Sequence, residues 1–465
     1  MIVRNEVEGI VILSQLQSRA NRAEVIAEMR GPSGLNSGEG YFFHGAKDSN
    51  QQEVNVIPIR GSIHAWRDSP LGSDNWRVID NSAVGCYIGP MFVHPPYILV
   101  ETQDALRNLA KILDGVTECA LDTEADSMHH YHVRLCLIQI TVAGQNFIVD
   151  PLTDLDLKPL WAARGMKNLI IHGADYDLRM LHNTFGFVPE TVFDTMIAAK
   201  FLGIERIGLA HLVEGQFGVH LSKANQKADW TIRPLPEDMK QYAILDTFFL
   251  AEIKENLTKQ LQECGKLAWV EETCNHIIHQ AETSPFMEDD EEDWRIRGSI
   301  RLHPNELIFL KALFYWREQE AERLDRPPFK VLSPDSMLDL AMECAYVTPD
   351  IRPEVLPRLP RNFTGDRLQS FLNALLDAAK VPESQWPDRE KKQRTRTPSP
   401  DSNRLEEFRS IRDDVASKCN LEPTLLANRQ ALVALAMPGS TEELRRNARC
   451  LDWQWNLLAP ALGLL

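Results

Sequence analysis

The sequence predicts a mixed α/β domain followed by a wholly helical region, and three observations carry that expectation. Between residues 96 and 285, short apolar runs of strand length alternate with amphipathic windows at helical spacing, the pattern of a sheet flanked by helices. Beyond Trp294 only the helical period remains. Val381 to Asn403 (VPESQWPDREKKQRTRTPSPDSN) interrupts that region with the Pro, Ser, Thr and basic composition of a flexible linker.

Residues 1–95 are loop-rich, with GPSGLNSGEG (Gly31 to Gly40) and KDSNQQE (Lys47 to Glu53) separating short apolar runs, and no role is assigned to them. Glu101 to Leu113 reads as a helix, and TECALDTE (Thr117 to Glu124) as a buried strand ending in carboxylates. RLCLIQITV (Arg134 to Val142) and QNFIV (Gln145 to Val149) flank Ala143-Gly144, a hairpin turn that is expected to set a third strand beside the first. Leu155 to Arg164 follows as helix, Asn168 to Ile171 as strand, and Asp175 to Phe185 and Thr195 to Leu202 as helices. A long helix is expected from Glu237 through Asn256, with Pro236 near its start as a tolerated breaker. Asn305 to Ala379 and Leu405 to Leu464 then look like one amphipathic unit used twice, giving two tethered modules.

Composition bounds the function classes. With 44% hydrophobic and 25% charged residues the 465-residue chain is of globular type. No apolar run reaches the roughly 18 residues of a membrane span, and Arg4, Glu6 and Glu8 interrupt the first apolar stretch, so a cytoplasmic protein without membrane partner is expected. Eight scattered cysteines with no C-x-x-C pair read as reduced thiols. The net charge of −16 speaks against a nucleic-acid partner only weakly, because EDDEED (Glu288 to Asp293) concentrates negative charge while EKKQRTR (Glu390 to Arg396) is basic.

Asp122 and Glu124 stand at i and i+2 on the first strand, so both leave one face at the rim of the sheet. Such a repelling pair fits either a hard divalent cation or an exposed strand end. Asp177, in HGADYDLRML (His172 to Leu181), falls in the first turns of a helix, where an acid, like its neighbour Asp175, also complements the macrodipole. Tyr242 and Asp246, four apart in YAILD, project from one helix face.

In this order, LDTE (Leu121 to Glu124), HGADYD (His172 to Asp177) and YAILD (Tyr242 to Asp246) resemble the DEDD superfamily of 3′→5′ exonucleases, in its tyrosine-containing subclass, and within it the ribonuclease D family. LCLIQI (Leu135 to Ile140), DPL (Asp150 to Leu152) and ADWTIRPLPEDMKQYA (Ala228 to Ala243) extend the likeness. FYWREQEAERLDRPPFKVL (Phe314 to Leu332) is similar to the opening of an HRDC helical domain, and Asn403 to Ala436 to a more diverged copy. The resemblance implies a ribonuclease H-like exonuclease domain, a mixed central sheet flanked by helices, followed by two all-α HRDC-like bundles. The implied organisation is an extension over 1–95, the exonuclease over 96–285, an acidic connector over 286–303, the first bundle over 304–380, the linker over 381–403 and the second bundle over 404–465.

The resemblance also implies a mechanism. Asp122, Glu124 and Asp246 would hold one Mg²⁺, with Mn²⁺ as the alternative; Asp122 would bridge to a second ion supported by Asp177, directly or through water; Tyr242 would orient the attacking water. The expected substrate is RNA with a free 3′ end, transfer RNA precursors in particular, the product a 5′-nucleoside monophosphate, and the protein a monomer. A DNA exonuclease and a noncatalytic RNA-binding scaffold are the rival readings. Lys223, Lys227 and Arg233 with Trp230 are candidates for substrate grip, although a structural contact is favoured for Trp230. The HHYH run (His129 to His132) is expected to be a solvated loop rather than a zinc site, and Trp316, Trp453 and Trp455 are expected in cores.

Overall fold

The computed structural model describes residues 94–283, 292–357, 359–389 and 400–464, together with the backbone of four strands nearer the amino terminus. Those strands, β1 (Ile2–Asn5), β2 (Gly9–Ile12), β3 (Gly40–Gly45) and β4 (Val54–Ile59), form a sheet in sequential order within the unit Met1–Gly89. The loops expected over 31–39 and 47–53, the basic part of the linker and most of the acidic run lie outside the described residues.

The unit Pro90–Leu465 is built on a six-stranded mixed sheet. It opens with β5 (Ile98–Val100) and α1 (Gln103–Asp114). Thr102 caps α1 by accepting the Ala105 N–H at 3.3 Å, and Asp104 and Lys111 match the helix dipole at its two ends. The helix buries Leu106, Leu109 and Leu113 in the core on one face of the sheet. β6 (Cys119–Ala125), β7 (Leu135–Val142) and β8 (Gln145–Val149) follow, then α2 (Lys158–Ala162) with a 3₁₀ turn, β9 (Asn168–Ile171), α3 (Asp175–Phe185), β10 (Thr191–Asp194) and α4 (Thr195–Phe201). The strand order is β10-β9-β6-β7-β8-β5, so β7 and not the third strand lies beside β6. The hairpin forces this: Ala143 and Gly144, at φ 49° and 72°, make a two-residue turn that pairs β7 with β8, and the other edge of β7 is left for β6.

α5 (Leu209–Phe217) precedes α6 (Glu237–Phe248), α7 (Leu250–Glu263) and α8 (Leu267–Thr283). The single long helix expected from Glu237 is broken at Phe249, because its two halves bury different faces. α6 sets Ala243 and Ile244 against Ile148 of the sheet, whereas α7 sets Ile253, Leu257 and Leu261 against α4 and α5.

The remaining described chain is helical. α9 (Pro304–Arg323), α10 (Pro328–Val331), α11 (Pro334–Val347) and α12 (Gly365–Ala379) enclose their own core around Trp294, Leu310, Leu313, Trp316 and Phe371. α13 (Ser402–Lys418), α14 (Pro423–Leu426), α15 (Arg429–Leu435), α16 (Thr441–Ala448) and α17 (Asp452–Ala461) repeat the opening sequence of a long helix followed by a single Pro-started turn. In both long helices a buried arginine, Arg317 or Arg412, stands four residues before a fully buried alanine, Ala321 or Ala416.

The second helical segment is not an isolated bead. Phe408, Leu426, Leu435, Trp453 and Leu458 share one continuous core with Phe201, Leu212, Ile253, Leu257 and Val270 of the α/β part. Trp453 stacks on Trp269 and meets Phe201 edge-on. The buried Lys266 ammonium donates to the carbonyls of Phe201 and Asn420, and Glu272 on α8 accepts the N–H groups of Asp452 and Trp453, capping α17 from another element.

Candidate active site

Strand alternation places Asp122 and Glu124 on one face of β6, directed toward α6. On α6, Tyr242 and Asp246 lie one turn apart on the side that meets β6 and β7. Carboxylate oxygens of Asp122, Glu124 and Asp246 consequently come within 4.8 Å of one another. Asp177 stands outside this mutual triad. It is buried in the first turn of α3, and its Oδ1 accepts a hydrogen bond at 2.5 Å from the hydroxyl of Thr123, the residue between the two strand acids.

The entry to α3 is itself fixed by an acid. Asp194, 1% exposed, accepts the backbone N–H groups of Gly173 (3.0 Å) and Ala174 (2.9 Å) ahead of α3, and of Met196 (2.8 Å) and Ile197 (3.2 Å) at the start of α4. Gly173 sits at φ +83°, which is what the turn ahead of Asp177 needs glycine for; a Cβ there would also lie 3.2 Å from the Met196 Cε, displacing the end of that flexible side chain by a few tenths of an ångström.

Among the described residues no ion pair neutralises these acids. Burial, then the charges of Asp177, Asp246 and Glu124, push the Asp122 carboxyl well above the usual carboxylate range. Burial and the charges of Asp246 and Asp177 raise Glu124 to about 9. Burial followed by the charge of Asp177 raises Asp246 to about 8, and burial raises Asp177 to about 7 against the hydrogen bond from Thr123. Burial and the same acids hold the Tyr242 phenol firmly protonated, so it acts as a hydroxyl donor and acceptor rather than a base. Three all-oxygen donors, crowded, repelling and without a protein cation, fit a hard divalent ion of the Mg²⁺ type.

The surroundings correct part of the sequence reading. Trp230 is 1% exposed and packs toward Tyr242 with ring centroids 6.0 Å apart, so it makes the structural contact favoured for it, supporting α6 and offering no surface for a base. Arg233 is committed to the buried Asp150 through Nε at 2.5 Å and Nη2 at 2.8 Å, and it also donates to the carbonyls of Trp230 and Cys136. The DPL and ADWTIRP motifs are thus the two halves of one ion pair that ties the end of β8 to the approach to α6. Lys223 and Lys227 remain exposed. His130 is not a solvated loop residue: Nδ1 meets Asp325 Oδ2 at 2.7 Å and Nε2 meets Thr231 Oγ1 at 3.2 Å, while Tyr131 leans into the first helical core. His132 alone of the run is exposed. Trp316, Trp453 and Trp455 lie in cores.

Residues 97–262 match the family model described as a 3′-5′ exonuclease. The chain is 29% identical over 314 residues to ribonuclease D of Gluconacetobacter diazotrophicus, covering 66% of this chain and 78% of that protein. It is 30% identical over 272 residues to ribonuclease D of Nitrobacter hamburgensis, covering 57% and 69%. It shares the fold of the Escherichia coli RNase D crystal structure, described as an exoribonuclease involved in structured RNA processing, with a TM-score of 0.57 at 24% identity over 79% of this chain and 98% of that one.

Proposed function

Because the chain belongs to the ribonuclease D family of 3′→5′ exoribonucleases, we propose that it trims structured RNA from a free 3′ hydroxyl end, with transfer RNA precursors as the substrate, as a cytoplasmic monomer. The observation that supports this reading most directly is the un-neutralised triad of Asp122, Glu124 and Asp246 facing a protonated tyrosine.

Each turnover adds water across the last phosphodiester. The water oxygen bonds to phosphorus, the 3′ oxygen of the preceding nucleotide leaves and takes up a proton, and a 5′-nucleoside monophosphate is released. A divalent cation, Mg²⁺ or Mn²⁺, supplies when bound the positive charge that the protein withholds at the scissile phosphate and makes water acidic enough to attack. Asp122, Glu124 and Asp246 would hold it, and Asp177 together with Asp122 would provide for a second ion. Tyr242 orients the attacking water through its hydroxyl. Thr123 fixes the orientation of the Asp177 carboxylate by donating its hydroxyl to Oδ1. Exposed Lys223 and Lys227 lie on the approach to α6, where they meet RNA phosphates.

The test is a time course on two 5′-labelled, 3′-tailed oligonucleotides of one sequence, RNA and DNA, with Mg²⁺, with EDTA, and with Asp122→Asn. A metal-dependent ladder receding from the 3′ end of the RNA alone is expected. A ladder on DNA would make the protein a DNA exonuclease, and binding without cleavage would make it a scaffold.

A further inference from the structure

Gln139 lies in the middle of the most buried strand of the sheet. Its side chain is 0% exposed, and neither its amide oxygen nor its amide nitrogen has a hydrogen-bond partner among the described residues. Buried amides are otherwise almost always paired, because water is given up with nothing in return. A methionine of the same length would fill the position without that loss.

The register says where the amide belongs. Gln139 is directly opposite Asp122 across the β6–β7 ladder and opposite Ile148 across the β7–β8 ladder. Opposed residues of an antiparallel pair project to the same face, with Cβ atoms about 5 Å apart. Ile148 on that row packs against Ala243 and Ile244 of α6, so the Gln139 amide lies beneath the helix that carries Tyr242 and Asp246, beside the Asp122 carboxylate. Asp177, Asp246 and Glu124, whose charges act on Asp122, are all acids.

We infer that Gln139 is a positioning residue for Asp122: through one bridging water, its amide N–H holds the carboxylate oxygen turned away from the cation. An amide suits this task where lysine or arginine would not. It offers a donor without a fixed positive charge that would compete with the cation for the same carboxylates. The inference rests on the metal-binding reading of the triad and adds a residue from outside it. Partners behind metal ligands typically change metal affinity or activity by about tenfold to a hundredfold.

The experiment compares the full-length wild type with Gln139→Met, and with Gln139→Leu in case the first variant does not fold. Melting is followed in EDTA, Mn²⁺ binding by calorimetry, and kcat and KM are measured on an RNA oligonucleotide. Melting equal to or above wild type is expected, since two unpaired polar atoms are removed. Mn²⁺ affinity should fall about tenfold or more, and kcat should fall at limiting metal with KM for RNA unchanged. Mn²⁺ affinity equal to wild type, whatever the melting temperature, overturns the inference and leaves Gln139 a packing residue. Asp122→Asn separates the two levels. If the wild type binds Mn²⁺ no better than Asp122→Asn, the metal reading fails and the inference with it.

Discussion

Replacing Asp246 by asparagine should make the metal-free protein more stable, and by an amount that grows with pH. In the folded chain Asp246 titrates at about 8 against an ordinary value of 3.8. Between those two values the folded state holds a proton that the unfolded state has released, so stability falls as pH rises through this window and levels off above it. One fully displaced proton changes the balance by about 1.4 kcal/mol per pH unit, which sets a ceiling of roughly 3 kcal/mol between pH 5 and pH 7. Asparagine does not titrate and escapes this loss. It also relieves Glu124, on which the charge of Asp246 is the largest influence after burial. The assay is thermal or urea unfolding of both proteins in EDTA at pH 5, 6, 7 and 8. Asp246→Asn is expected above wild type at pH 7, with the gap widening from pH 5 and the order reversing once saturating Mg²⁺ stabilises the wild type alone. A variant no more stable than wild type at pH 7 in EDTA, or a gap that does not change with pH, would refute the idea that the carboxylates are held together against their own repulsion.

Other expected outcomes follow from neighbouring geometry. Asp122→Asn should abolish hydrolysis while RNA still binds in a filter assay; retained cleavage would remove Asp122 from the ligand set. Thr123→Val, which deletes the hydroxyl on Asp177, should lower kcat by about tenfold or more with an unchanged circular-dichroism spectrum, whereas full activity would show that Asp177 needs no such support. Arg233→Ala leaves Asp150 buried without its cation and should destabilise by about 3–5 kcal/mol in urea unfolding; a loss under 1 kcal/mol would mean that water takes the place of the guanidinium. Deleting residues 400–465 should lower the melting temperature of the nuclease itself, because Phe201, Ile253 and Val270 lose their cover; selective loss of structured-RNA binding with unchanged melting would argue instead for an independent module.

How much of this was legible depends on the range over which each feature is encoded. The apolar run that ends in carboxylates, the i, i+2 spacing of Asp122 and Glu124, and the turn at Ala143-Gly144 are local, and they give β6, β7, β8 and the shared face of the two acids. β5 and β10, at three and four residues, are too short to display any period, and α5 follows Gly208, which has no side chain to cap it and announce its start. Pairings across long separations are silent in composition. Thr123 and Asp177 are 54 residues apart, Arg233 and Asp150 are 83 apart, and the partner of His130 comes 195 residues later. Asp194 carried a readable hint, an acid immediately before a helix, but its reach back to Gly173 and Ala174 depends on β10 lying beside β9. Gln139, the polar residue inside LCLIQI, was visible as an exception without a visible reason.

The cap that Glu272 places on α17, with the lysine staple of Lys266 beside it, has a consequence for how the molecule opens. Elements that bury one another unfold together, and a ligand that binds only the folded form protects everything in its cooperative unit by the same free energy. Amide protons of α17 should therefore exchange more slowly when the carboxylate site is loaded, although that helix contributes no residue to it. Those of α11, in the separate core around Trp316, should report a different opening energy and stay blind to the same ligand.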